Sequence, residues 1–122
     1  MPKNLKDYEA VIGPIATSKL KQVANDLKGA RVVHVNSTRE GGGVAEILSW
    51  MIPLMKELGL DVSWEVIEGN PAYFNTTKTF HNGLQGNNVF LSKTMIDAYE
   101  ETVTANAERL RPSLEDADFV II

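Results

Sequence analysis

Cysteine is absent from the 122-residue chain, so neither a disulfide nor a thiolate-held metal can form, and nothing asks for an oxidising compartment. Histidine is nearly as scarce. His34 and His81 are the only two, far apart in sequence, and no metal-ligand spacing includes them. No apolar run approaches the ~20 residues that span a bilayer. The opening stretch Met1-Pro2-Lys3-Asn4-Leu5-Lys6-Asp7 lacks the apolar core of a signal peptide. Basic residues are outnumbered: a formal net charge of -4 leaves no electrostatic footprint for nucleic acid. These absences point to a cytoplasmic protein, one domain or part of a larger one, with neither a nucleic-acid nor a membrane partner. The glycosylation sequons Asn36-Ser37-Thr38 and Asn75-Thr76-Thr77 are then accidental.

What is present is organised around Val32 to Leu48, which reads as a buried strand, a polar turn with Gly41, Gly42 and Gly43, and the start of an amphipathic helix. Glycine lets a backbone turn sharply and approach a ligand. The N–H groups at the following helix start suit a phosphate or a sugar oxygen. The same glycines could equally serve only the strand-to-helix connection. A dinucleotide fingerprint fits poorly, because Glu46 stands where a third glycine belongs and would repel a pyrophosphate, although Glu68 could imitate the ribose-binding acid. The Lys-Ser/Thr pair of a P-loop is missing, as is a nucleophile elbow. No pair of carboxylates is picked out by spacing for acid/base work.

The rest of the chain alternates helix and strand. Met1 to Gly13 reads as an extension or short turn, and Ala16, Leu20, Val23 and Leu27 as the packing stripe of an opening helix capped by Gly29. Val32, Val33 and Val35 suggest a strand buried on both faces, with His34 either a core residue or, less simply, a ligand. Val44 to Leu58 carries a wide apolar stripe with Pro53 inside it, and Asp61 to Glu68 reads as a second strand nearer the sheet edge. Gly69-Asn70-Pro71 breaks the chain, and the polar-aromatic stretch Pro71 to Gly86 reads as surface loop with a short helix over Thr76 to Leu84; the same mixture also suits a sugar site. Ser92 caps a long helix that Pro112 stops, and Ala117 to Ile122 is a third strand. The pattern implies an α/β protein with a parallel sheet, divided as residues 1–28, an N-terminal extension and helix, and 29–122, an incomplete portion of a larger α/β domain.

Three strings go further. His34-Val35-Asn36-Ser37-Thr38 followed by Gly41-Gly42-Gly43-Val44-Ala45-Glu46-Ile47-Leu48, then Val66-Ile67-Glu68-Gly69, then Phe74 to Gly86 with Lys78-Thr79-Phe80-His81-Asn82 at its centre, resemble the opening of the trehalose-forming retaining glycosyltransferases, a family that also holds trehalose phosphorylases. The resemblance implies the N-terminal half of a GT-B glycosyltransferase: a partial Rossmann-like parallel sheet with flanking helices, acceptor-side, facing a C-terminal half that binds most of a nucleotide sugar. It implies transfer of glucose from a nucleotide-glucose to glucose without a metal or other cofactor, and inactivity of this portion alone. Gly41, Gly42 and Gly43 then lie near the donor phosphates, and Lys78, His81, Asn82 and, more weakly, Gln85 at the acceptor sugar. Arg39 and Glu40 fall in a more variable part of the turn and could tune it. No residue is assigned a catalytic step. The rival readings are a non-catalytic sugar- or nucleotide-binding module and a trehalose phosphorylase. An exposed sheet edge would favour a homo-oligomer.

Overall fold

The computed structural model describes residues 3–122. In chain order the elements are α1 (Leu5–Ile12), α2 (Pro14–Asn25), β1 (Arg31–Asn36), α3 (Gly43–Glu57), β2 (Asp61–Val66), α4 (Pro71–Leu84), α5 (Lys93–Glu115) and β3 (Phe119–Ile121). The chain forms two compact units, one running to Val66 and resuming with Pro112–Ile122, the other Ile67–Arg111. Among the described residues, no helix is long and apolar enough to cross a membrane.

The first unit holds the sheet, in the order β2-β1-β3 with every pair parallel. The register sets Val32 beside Val62 and Phe119, and His34 beside Trp64 and Ile121. Four consecutive residues of β1, Val32 to Val35, are buried, as a central parallel strand requires. On one face Val32 and Val62 meet Leu48 and Ile52 of α3, with Met51, Met55, Leu60 and Trp64 around them. Val62 and Trp64, two residues apart, share that face because successive strand side chains alternate. The β3 end is tied to β1 by the Asp118 N–H donating to the Arg31 carbonyl at 2.9 Å, by the Arg31 N–H donating to Asp118 Oδ2 at 2.7 Å, and by an Arg31–Asp116 ion pair.

Several boundaries differ from the sequence reading, each for a local reason. The expected N-terminal extension is helical from Leu5, because Asn4 and Asp7 form a reciprocal capping box at 3.0 and 2.9 Å. The Leu5 N–H also donates to Glu57 Oε2 at 2.8 Å, fastening the start of α1 to the end of α3. The expected stripe of α2 is outside: Ala16, Leu20 and Val23 are exposed, as is Leu27, which lies past the end of the helix, and the packed face is Thr17 and Ala24. Small residues there let the helix approach closely, and the Thr17 hydroxyl is satisfied by Glu9 Oε2 at 2.6 Å. The expected stripe of α3 holds in part: Leu48, Met51 and Met55 pack inward together with Ala45 and Ile52, while Val44 and Ile47 face out. The second strand stops at Val66 rather than Glu68.

In the second unit, the break expected at Asn70-Pro71 is the start of α4. The Asn70 side chain accepts the Tyr73 N–H at 2.9 Å, and Pro71 sits in the first turn, where its missing N–H costs nothing. The expected loop is therefore a helix of 14 residues. Thr76 is its fully buried residue, and Tyr73 and Phe80 pack on Tyr99 of α5 with ring centres 5.8 and 5.1 Å apart. Ser92 caps α5 as expected, its Oγ accepting the Met95 N–H at 3.2 Å. Pro112 does not stop it; the helix runs on to Glu115 with Pro112 inside, which removes one backbone bond.

Candidate functional site

The glycine turn belongs to the first unit. Gly41 and Gly42 both take positive φ, 74° and 83°, and Gly42 pairs its φ with a ψ of 156°, a region essentially closed to side chains. Gly43 is different: it is already helical, and a Cβ built on it meets nothing within 4 Å. The first two glycines are demanded by the backbone, whereas the third leaves open space in front of α3. No side chain caps that helix, so its first N–H groups face out at the positive end of its dipole.

A cavity of about 380 Å³ lies at the turn, lined by Arg39, Glu40, Gly41, Gly42, Ala45, Glu46 and Ser49. The Thr38 hydroxyl braces the turn, donating to the Glu40 carbonyl at 2.6 Å and accepting the Glu40 N–H at 3.1 Å. A larger cavity of about 590 Å³ sits elsewhere in this unit, bounded by α1, α2 and the end of α3. Its carboxylates, Glu9 and Glu57, already accept hydrogen bonds from Thr17 and from the Leu5 N–H.

His34 is a core residue, 2% exposed, but its Nε2 has no hydrogen-bond partner. Burial pushes its pKa below the ordinary 6.5, so the ring is held neutral. Among the described residues, no group of three or more His, Asp or Glu side chains is placed to hold a metal ion.

In the second unit, Lys78, His81, Asn82 and Gln85 follow one another at helical spacing along α4 and its cap, so the helix gathers them on one face. That face is opposite the one carrying Tyr73, Thr76 and Phe80. Lys78, His81 and Gln85 are exposed and Asn82 is half-buried. Sequence reasoning missed Asn106, which is 4% exposed in α5. Its Oδ1 accepts the Glu68 N–H at 2.9 Å and an Arg109 N–H at 2.9 Å, and its Nδ2 donates to the carbonyls of Glu68 at 2.7 Å and Thr102 at 2.8 Å. Every polar valence of that amide is used, and two of its four bonds clasp the Glu68 N–H and carbonyl just after β2. Tyr73, beside Tyr99, has its pKa raised, first by burial and then by its neighbour.

A parallel sheet with its turn at the carboxyl end of the central strand is the arrangement of a Rossmann-like α/β half-domain. Residues 34–122 match the family model described as the trehalose synthase N-terminal domain, and the chain belongs to that family. It is 47% identical over 121 residues to a trehalose synthase of Thermococcus litoralis and 42% identical over 120 residues to one of Rubrobacter xylanophilus, in each case covering 98% of this chain and 29% of the relative. A trehalose phosphorylase of Pleurotus pulmonarius is 31% identical over 111 residues, covering 87% of this chain and 15% of the relative. The chain thus spans less than a third of the length of these curated relatives.

Proposed function

We propose that this chain is the acceptor-side, N-terminal portion of a retaining glycosyltransferase of GT-B architecture that moves glucose from a nucleotide-glucose onto glucose, forming trehalose. The match from β1 onward carries this reading, since it takes in both the glycine turn and the α4 face. On it, Gly41, Gly42 and Gly43 approach the donor diphosphate, and Lys78, His81, Asn82 and Gln85 bond the acceptor hydroxyls. Backbone N–H groups offer that diphosphate fixed dipoles with no reorganisation at the moment of reaction. The acceptor oxygen bonds to the anomeric carbon on the face the nucleoside diphosphate leaves, and its proton goes to the departing oxygen, so configuration is retained without a protein nucleophile or metal. The reading includes a cytoplasmic location, which the cysteine-free composition supports. It also assigns most of the nucleotide to sequence that this chain does not share with its relatives, leaving the isolated chain inactive.

The test joins this chain to the remaining length of the Thermococcus litoralis relative and measures trehalose formed from UDP-glucose and glucose. Turnover by the joined protein and none by the chain alone is the expected result. Sugar binding without turnover in the joined protein would replace the enzyme by a binding module. Synthesis that runs from glucose 1-phosphate instead would replace the synthase by a phosphorylase.

A further inference from the structure

Arg39 stands at the mouth of the glycine turn and is pinned on one side. Its guanidinium donates to the Trp64 carbonyl at 2.6 Å, and its central carbon lies 5.0 Å from the centre of the Trp64 ring. Trp64 is held in turn, its Nε1–H donating to Asn36 Oδ1 at 2.7 Å, while Asn36 Nδ2 donates to the Thr38 carbonyl at 2.7 Å. Two neighbouring strands, through Trp64 inside β2 and Asn36 at the end of β1, therefore fix one flexible cation. A planar guanidinium already stacked on a ring has little freedom left to lose when it binds something else. Among the described residues, its other N–H groups meet no acceptor.

The charges around the cavity give that cation weight. Its lining holds Glu40 and Glu46 as well as Arg39. Without Arg39, a phosphoryl group at the turn would face two carboxylates and no positive side chain, with only backbone N–H groups in its favour. With Arg39 in place, a forked donor matches the geometry of phosphoryl oxygens. We propose that Arg39 decides whether the glycine turn accepts an anionic group, and that Trp64 is the positioning residue that holds Arg39 ready. The inference rests on the function proposed above, in which that group is the diphosphate of the donor.

The experiment is a titration of the ¹⁵N-labelled chain with inorganic pyrophosphate and, separately, with glucose. Pyrophosphate is expected to give saturable shifts at Gly41, Gly42, Gly43 and the Trp64 indole, and glucose to leave these signals in place. Arg39→Gln, an exposed change, should weaken pyrophosphate at least about tenfold, as loss of a charge-assisted bond does. Arg39→Lys keeps the charge without the fork and should lose less. Trp64→Leu should weaken binding with Arg39 intact, and Trp64→Phe, which keeps a ring face, should restore part of it. No saturable shift in the unmodified chain, shifts at the turn with glucose alone, or an Arg39→Gln variant that titrates like the unmodified chain would overturn the role of Arg39. A Trp64→Leu variant with unmodified affinity would overturn the positioning role. The transferase reading is judged separately, by turnover of the joined protein: if that protein keeps its rate with Arg39→Gln, the reading stands and this inference falls.

Discussion

The indole Nε1–H of Trp64 donates to Asn36 Oδ1 at 2.7 Å, joining a side chain inside β2 to the last residue of β1. Both residues lie within the parallel ladder, where Trp64 stands beside His34 and Asn36 beside Val66, so this bond crosses the ladder diagonally at the end that leads to the glycine turn. Asn36→Leu removes the acceptor and the Thr38 contact together. We expect a loss of about 1–2 kcal/mol of stability, the usual cost of stranding a partly buried donor. Asn36→Asp, which keeps an acceptor, should lose less. Urea denaturation of the two variants checks the order, and equal stabilities would show that the indole bond contributes nothing.

His34 makes stability depend on pH. The folded chain favours its neutral ring, because burial lowers its pKa from 6.5, whereas the unfolded chain takes up a proton near the ordinary value. Between those two values the unfolded state binds more protons, so stability is full above about pH 6.5 and falls as the pH drops toward the lowered folded value. The melting temperature of the unmodified chain should therefore fall more between about pH 7.5 and 5.5 than that of His34→Leu. Parallel curves would remove His34 as the cause.

The three glycines separate backbone need from ligand need. Gly42→Ala forces a side chain into a φ,ψ region that excludes it and should cost about 1–3 kcal/mol. Gly43→Ala meets open space in a helical conformation, so stability should hold or rise slightly. If the turn works by close approach of its backbone to a ligand, Gly43→Ala should nevertheless weaken pyrophosphate shifts while the melting temperature is unchanged. Unchanged binding in a stable Gly43→Ala protein would count against close approach at that residue.

Asn106 is a buried polar group of the second unit, and its four hydrogen bonds leave no slack. Asn106→Asp keeps the acceptor for the Glu68 N–H but sets a carboxylate oxygen against the carbonyls of Glu68 and Thr102. Asn106→Leu keeps the bulk and strands the Glu68 N–H and carbonyl. Each should destabilise by about 2–4 kcal/mol, since buried backbone groups lose their partners. Hydrogen exchange at the Glu68 amide reports the loss directly, and unaltered protection there would show that the clasp is not what holds this backbone.

How far the sequence reaches is clear from particular residues. Val32, Val33 and Val35 read as a two-face-buried strand because burial and β-branching coincide there, and they are one. The inward face of α2 did not read correctly and that of α3 read only in part: Leu48, Met51 and Met55 pack as expected, but packing also selected Thr17, Ala24 and Ala45, small residues that no apolar stripe highlights. The start of α4 was written in Asn70-Pro71, a cap and a first-turn proline, but the same pair also signals a turn, and only the tertiary packing of Thr76 and Tyr73 decides between them. Lys78, His81, Asn82 and Gln85 gained a common face once α4 existed. The pairing of Arg39 with Trp64 had no sequence signal at all. It depends on strand register, which places residues 25 apart in contact.

The sheet edge supplies the last prediction. Phe119, Val120 and Ile121 are 51%, 41% and 48% exposed, and among the described residues β3 pairs only with β1, so its other side offers unpaired N–H and carbonyl groups beside apolar side chains. Such an edge templates pairing with another chain. We expect the isolated chain to self-associate as its concentration rises, with light scattering giving a mass above the monomer. Val120→Lys and Ile121→Lys place a charge on this edge and should return the monomer without altering the buried core of β1. A monomeric mass for the unmodified chain across the whole concentration range would exclude the edge as an interface. Persistent association in both lysine variants would move the interface elsewhere, and the exposed Val11, Ile12 and Ile15 of the first two helices would be the next surface to charge.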